Sequence, residues 1–145
     1  MSSKRLIGKD GELILVHKGI IFARAERFTA TLNERVALNH GIGFGRYSVG
    51  TGYHVALRLD DITITDEDIA LTILKELERG IMPDLGFQGK FKRKDGFAEK
   101  IVFQNCALTG ELDHAGFIKG AIWDMHLCVN SLSDEQVEQF HAHGY

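Results

Sequence analysis

Proline, cysteine and long apolar runs are scarce in this sequence. Its 145 residues include one proline and two cysteines, so we expect neither a proline-rich linker nor a disulfide framework. The apolar run from Leu13 to Val16 is far too short for a signal-peptide core or a membrane span. We therefore expect a protein that starts in the cytoplasm, makes no membrane contact as a monomer, and carries Cys106 and Cys128 as free, buried thiols.

An excess of basic charge is also missing. The formal net charge is -3 at pH 7, so the chain lacks the basic footprint that gathers phosphates, and sequence-independent nucleic-acid binding is not expected. Apolar residues make up 44% and charged residues 26%, an ordinary soluble composition that predicts a packed core. The length, with no linker or repeat, predicts one domain over residues 1–145.

Glycine, by contrast, is plentiful. Sixteen glycines lie among short apolar segments rich in Val, Ile, Phe and Thr, a pattern typical of strands joined by tight turns. Glu12–His17 and Ile20–Leu32 form a predicted hairpin around Lys18-Gly19. Because the second arm is unusually long for a globular strand, we expect it to be an exposed edge with a partner outside the chain.

Further strands follow from alternation and from one turn signal. Strict alternation predicts a half-buried strand over Tyr53–Leu59. The Asp95-Gly96 pair predicts a hairpin turn between two strands. A last strand is expected within Phe117–Val129, with Asp124 and His126 on its polar face.

One helix is predicted from about Asp66 to Arg79. Thr65 is expected to cap its N-terminus, and Gly80 follows its last residue. Its buried stripe is expected to contain four apolar side chains: Ile69, Ile73, Leu74 and Leu77.

Together these elements predict a mainly β (α+β) fold. We expect a small barrel or sandwich of antiparallel strands with one flanking helix, and a long hairpin and loop that make contacts between subunits. Residues 131–145 predict a short C-terminal helix or tail, in which Ser133 and Gln136 form a capping box.

The stretch HGIGFGRYSVGTGYHV, from His40 to Val55, carries five glycines. It fails the dinucleotide fingerprint because no third glycine opens a helix after Gly41 and Gly43, and it fails the phosphate-loop pattern because Thr51 stands where a lysine belongs. Its backbone freedom is typical of a plain loop or strand edge, or of a segment that becomes ordered against a partner. Four anchor-type side chains favour the partner: Ile42, Phe44, Arg46 and Tyr47.

The sequence contains no catalytic pattern, and no cofactor or metal is expected. Cys106 and Ser48 lack the elbow or helix N-terminus that activates a nucleophile. His126 and Cys128 share a strand face, and His114 and Cys106 could lie near them, but no metal-binding spacing supports a site. Packed or solvated histidines are the simpler interpretation.

A basic cluster lies beside the Asp95-Gly96 turn. Its members are Lys90, Lys92, Arg93 and Lys94. We expect either a solvated hairpin tip or an electrostatic contact with an acidic neighbouring subunit.

Four segments follow one another in a distinctive order: GKDGELILVHKGIIFARAERFTATLN, the glycine-rich stretch, TITDEDIALTILKELERG, and IVFQNCALTG followed by FIKGAIWDMHLCVN. Over nearly the whole chain this order resembles the tail tube proteins of contractile-tailed phages and phage-derived particles, whose fold is shared with the type VI secretion tube. The resemblance implies a small barrel or sandwich flanked by a helix, six-membered rings, and rings stacked into a hollow tube. It implies a structural role and no reaction.

The resemblance also implies partners and positions. We expect contacts with other copies of the chain, a sheath protein outside, a tape-measure protein or DNA in the lumen without sequence-specific binding, and baseplate proteins at the end. The expected place is a virion tail or phage-like particle, assembled in the bacterial host cytoplasm. Expected subunit-interface residues are Ile42, Phe44, Arg46, Tyr47, Arg24 and Glu26. Expected lumen residues are His54, Arg58, Asp60, Lys119, Asp124 and His126.

Two alternatives stay open. One is a small β-barrel binding protein or enzyme with a Cys/His metal site. The other is a tube initiator in the baseplate, because the segment after Val129 is more polar and more helical in pattern than the family's closing strand.

Overall fold

The computed structural model describes residues 4–34, 52–109 and 123–145. These residues form six strands and two helices. In chain order they are β1 (Lys4–Leu15), β2 (Ile20–Glu34), β3 (Tyr53–Ile64), α1 (Glu67–Glu78), β4 (Leu85–Lys92), β5 (Ala98–Leu108), β6 (Trp123–Val129) and α2 (Asp134–His143). The prediction of a mainly β fold with antiparallel strands is confirmed.

The strands close on themselves. Neighbours follow the order β1-β2-β3-β6-β5-β4, and β4 pairs back to β1, so the antiparallel sheet forms a barrel. Strand β2 pairs with β1 from Ile20 to Leu32 and with β3 from Ala23 to Glu34. The expectation that Ile20–Leu32 is an exposed edge was therefore wrong, because two long strands of the same chain occupy both of its sides.

Alternating side chains fill the barrel. Val55, Leu57 and Leu59 of β3 are at most 1% exposed, as the alternation predicted. In the ranges that the structure describes, no residue with a polar or charged side chain is buried, so the core is apolar throughout. Burial of this kind stabilises the fold by about 1.5–3 kcal/mol for each fully buried Leu or Phe.

Two glycines allow the aromatic core to pack. A Cβ on Gly8 would lie 2.1 Å from the carbonyl oxygen of Lys90 and 2.5 Å from the Phe28 ring, and a Cβ on Gly89 would lie 2.6 Å from the same ring. The space lets Phe28 meet Phe87 edge-to-face, with ring centroids 5.0 Å apart. Strand β1 thus begins at Lys4, well before the predicted Glu12, because the glycines that break its apolar alternation are part of the strand.

Helix α1 begins one residue later than its predicted cap suggests. Asp66, not Thr65, caps the helix, and its Oδ1 accepts a hydrogen bond from the amide of Ile69 (3.2 Å). The backbone amide of Thr65 instead donates to the carbonyl oxygen of Phe22 (2.8 Å), which holds Thr65 beside β2. Gly80 follows the helix with φ +77°, as expected for a residue that ends a helix.

The buried side of α1 differs slightly from the predicted stripe. Ile69, Ala70 and Ile73 are buried, whereas Leu74 and Leu77 are only partly buried and pack at the margin of the core. The buried side of α1 therefore includes Ala70, which the sequence did not predict, and is shifted toward the N-terminus of the helix.

Helix α2 packs against the barrel where the sheet is least complete. In the described ranges, strand β5 pairs with β6 through the residues Cys106, Ala107 and Leu108. Phe140 of α2 is fully buried, and its ring lies 6.4 Å from that of Phe103. The predicted capping box is confirmed, since the Ser133 hydroxyl accepts from the Gln136 amide (3.1 Å) and the Gln136 side chain accepts from the Ser133 amide (2.9 Å).

Candidate functional site

The glycine-rich stretch lies almost entirely outside the described residues. This covers four of the predicted interface residues, Ile42, Phe44, Arg46 and Tyr47, as well as the predicted lumen residue Lys119. Their roles stay predictions.

The remaining predicted lumen residues lie on the outer face of β3 and β6. Arg58 Nε lies 2.8 Å from Asp60 Oδ1, and Arg58 Nη2 lies 3.5 Å from Asp124 Oδ2. His126 of β6 is directly opposite Arg58. The structure therefore brings Arg58, Asp60, Asp124 and His126 together. His54 lies on the same strand, four residues before Arg58, opposite Asn33.

A bulge in β3 creates this arrangement. The register with β6 shifts between Leu59 and Ile62, and Asp61 adopts φ +57°, a conformation that aspartate tolerates better than most residues. The freed amide of Asp61 donates to Asp124 Oδ1 (3.3 Å). The carboxylate of Asp61 in turn binds Arg27 of β2, at 2.8 Å.

We name Arg27, Arg58, Asp60, Asp61 and Asp124 the charged face. Its two arginines and three carboxylates form three ion pairs across three strands, Arg27–Asp61, Arg58–Asp60 and Arg58–Asp124. Exposed pairs of this kind contribute about 0.2–1 kcal/mol each to the free energy of unfolding. They therefore affect the net charge of this surface more than the stability of the fold.

Sequence reasoning missed Arg27 and Asp61. The Asp60-Asp61 pair ends the strict alternation that runs through Leu59, and a break of this kind inside a strand is typical of a bulge. That signal could have identified Asp61. Arg27 could not be found without the pairing of β2 with β3.

The other two predicted interface residues lie on the outer face of β2. Arg24 and Glu26 are both exposed. Arg24 lies 3.6 Å from Glu12 Oε2, and Glu12 also accepts a hydrogen bond from Gln88 (2.6 Å). Arg24 is therefore partly neutralised within its own chain.

The predicted basic cluster does not act as one group. Arg93 binds Asp95 (2.7 Å) and Glu99 (3.5 Å), so its charge is balanced within the hairpin. Lys90 lies on the outer wall of the barrel, directly opposite Lys9 on one side and Lys100 on the other. Exposed lysines therefore run across the strands as well as beside the turn, where Lys92 and Lys94 are exposed.

The cysteines and histidines of the metal alternative point in different directions. Cys106 is buried in the core, whereas Cys128 is partly exposed and His126 is exposed. Burial, followed by the influence of Asp84 and Cys128, raises the pKa of the Cys106 thiol to about 12, and a thiol held protonated is a poor zinc ligand. Among the described residues no three His, Cys, Asp or Glu side chains are grouped as a metal site. His114 lies outside those residues.

Neither helix in the described ranges is long and apolar enough to cross a membrane. No protein-family model matches the chain, and no curated protein matches its sequence.

Proposed function

We propose that this chain is a structural subunit of a contractile tail tube, which assembles into six-membered rings that stack into a hollow conduit for DNA or effector passage. The observation that carries the proposal is the order of elements within the barrel. The segments that resemble the tail tube proteins become, in turn, the β1–β2 hairpin, β3 with α1, and β5 followed by β6. The antiparallel barrel with α1 between β3 and β4 is consistent with the small barrel or sandwich flanked by a helix that the resemblance implies.

The filled interior supports a role that depends on outer surfaces. Phe28, Phe87 and Phe103 occupy the middle of the barrel and are fully buried. Side chains that could meet a partner therefore lie on the outer wall and on the segments between strands, as an assembling subunit requires.

The charged face suits the wall of a conduit. Arg58 is balanced by Asp60 and Asp124, and Arg27 by Asp61. With two arginines and three carboxylates the charged face has no excess of positive charge, so its repetition by sixfold symmetry would let a polyanion slide, whereas repeated unpaired lysines would bind phosphates at many points and hold it. We therefore assign the charged face to the bore, and Lys90 and Lys100 of β4 and β5 to a wall away from it, with Lys9 at the boundary, opposite Arg27.

A tube initiator in the baseplate is the second candidate, and α2 favours it. The closing segment of the chain forms a capped helix with Phe140 buried against the barrel. An initiator would have the same fold but occur as one ring in each particle, whereas a tube subunit would occur in many rings. Quantitative mass spectrometry of purified particles distinguishes the two by the number of copies.

Replacement of the glycine-rich stretch tests the proposal. Exchanging residues 42–49 for a Gly-Ser linker of equal length should leave thermal unfolding of the barrel unchanged, because the replaced segment contributes no periodic core pattern. Assembly, measured by sedimentation over a range of concentrations, should be lost. A variant that still assembles as the parent does would contradict the role of this segment in the ring.

A further inference from the structure

Three lysines line up across neighbouring strands on the outer wall of the barrel. Lys9 of β1 is directly opposite Lys90 of β4, and Lys90 is directly opposite Lys100 of β5. All three side chains are exposed. We name these three residues the basic row.

In the adjacent row of residues opposite charges are paired, whereas the charges of the basic row are not. In the adjacent row, Glu12 lies between Arg24 and Gln88 and binds both. Side chains directly opposite on neighbouring strands have Cβ atoms about 5 Å apart, where like charges destabilise the sheet. Within the described part of the chain, no carboxylate forms an ion pair with the basic row.

Helix α2 carries charge of the opposite sign. Asp134, Glu135 and Glu138 are exposed on it, and residues 131–145 contain no lysine or arginine. We name these three residues the acidic stripe. In the ranges described by the structure, none of its carboxylates forms an ion pair with a basic side chain.

The stripe is held rigidly in place. The Phe140 side chain anchors the inner side of α2 in the core. After the helix, the backbone of Tyr145 exchanges two hydrogen bonds with that of Arg5 (3.2 and 3.0 Å). Docking of the helix fixes the backbone positions of the three acidic residues relative to the barrel, which lowers the entropic cost of binding a partner.

We propose that the basic row of one copy binds the acidic stripe on α2 of a second copy. The two surfaces differ, so the contact is heterologous, and repetition from copy to copy closes into a ring when the rotation allows it. The inference rests on the proposed function in that copies of the chain associate. The inference adds that the basic row and the acidic stripe are the two surfaces in contact. A nucleic acid is the other possible occupant of the basic row, and it is disfavoured because the chain carries a net charge of -3.

Charge reversal on each side separately tests this contact. One variant combines Lys90→Glu with Lys100→Glu, and the other combines Glu135→Lys with Glu138→Lys. Each alone should lower the self-association constant at least tenfold, measured by sedimentation. Mixing the two variants should restore association, because the reversed row of the first faces the reversed stripe of the second, and the unchanged row of the second faces the unchanged stripe of the first. Lys18→Glu with Lys75→Glu makes the same change of charge as the lysine reversal elsewhere on the surface and should leave association unchanged.

Thermal unfolding tests whether each variant is folded, and Lys90→Gln with Lys100→Gln replaces the lysine reversal if that variant is not. If the wild type assembles and the reversals do not weaken it, or if the mixture fails to recover, the inference is wrong and the proposed function stands. A wild type that stays monomeric overturns both. Loss of duplex DNA binding in the lysine variants, with unchanged self-association, would assign the basic row to nucleic acid and overturn the inference.

Discussion

Gln136 of α2 donates its side-chain amide to the carbonyl oxygen of Val102 in β5, with Nε2 and O 2.6 Å apart. The oxygen of the same amide accepts from the backbone of Ser133, so one side chain both caps α2 and joins it to the barrel. This part of β5 has no pairing with β6 in the described residues, since their pairing begins at Cys106. The helix therefore satisfies a strand carbonyl where the sheet is incomplete.

Two substitutions at Gln136 separate these roles. Gln136→Glu keeps the acceptor for the Ser133 amide and loses the donor to Val102, whereas Gln136→Ala loses both. We expect each lost hydrogen bond to lower the free energy of unfolding by about 0.5–1.5 kcal/mol. Gln136→Ala should therefore be the least stable, and Gln136→Glu should lie between it and the parent. Denaturant unfolding measures the order. Equal stability of Gln136→Glu and the parent would show that the bond to Val102 contributes nothing.

Gly8 is expected to be among the least replaceable positions. Gly8→Ala would place a methyl group 2.1 Å from the Lys90 carbonyl oxygen, and a backbone atom cannot move without separating β1 from β4. We expect a loss of about 3 kcal/mol or more in the free energy of unfolding.

Gly19→Ala is the matched control for that prediction. Gly19 lies in the β1–β2 turn with φ +66° and no atom within 4 Å of a built Cβ, so only backbone strain of about 1–2 kcal/mol opposes alanine there. Similar losses for the two variants, measured by thermal unfolding, would contradict the close approach of β1 and β4 at Gly8.

The Cys106 thiol should make stability depend on alkaline pH. Burial raises the pKa of this thiol to about 12 from its usual 9.0, so the unfolded chain loses the proton first as the pH rises. The thiol's contribution is fully present below the unfolded pKa and is lost as the pH approaches the folded one. Each unit of pH between them costs about 1.4 kcal/mol.

Comparison of Cys106→Ala with Cys128→Ala isolates that contribution. Between pH 9 and pH 11, denaturant unfolding of Cys106→Ala should show a weaker dependence on pH than the parent, whereas Cys128→Ala should keep the parent's steep dependence. The same slope in all three proteins would mean that the Cys106 thiol ionises as easily in the folded chain as in the unfolded one.

Local patterns predicted most of the strands and both helices. The strict alternation of β3, the Asp95-Gly96 turn and the Ser133–Gln136 capping box each depend on residues close together in the sequence, and all three are seen in the structure. The start of β1 was missed because its glycines serve distant side chains, above all Phe28, and local propensity does not contain that contact.

Pairings between distant strands could not be predicted from the sequence. The length of β2 indicated an unpaired edge, yet β1 and β3 cover it on both sides. Arg58 and Asp124 were both proposed for one surface, but their ion pair depends on the bulge at Asp61. The basic row exists only through the register of β1, β4 and β5, which the linear cluster from Lys90 to Lys94 does not contain.

The central claim is that copies of this chain build a tube, and electron microscopy of the purified protein tests it most directly. Negative-stain images over a range of protein and salt concentrations should contain rings with sixfold symmetry, and tubes formed by their stacking. In a resolved map of such a tube, the charged face around Arg58 should line the bore, and Lys9, Lys90 and Lys100 should face a neighbouring copy. Monomeric particles under every condition would contradict the claim, and a bore lined by those three lysines would contradict the assignment of its surfaces.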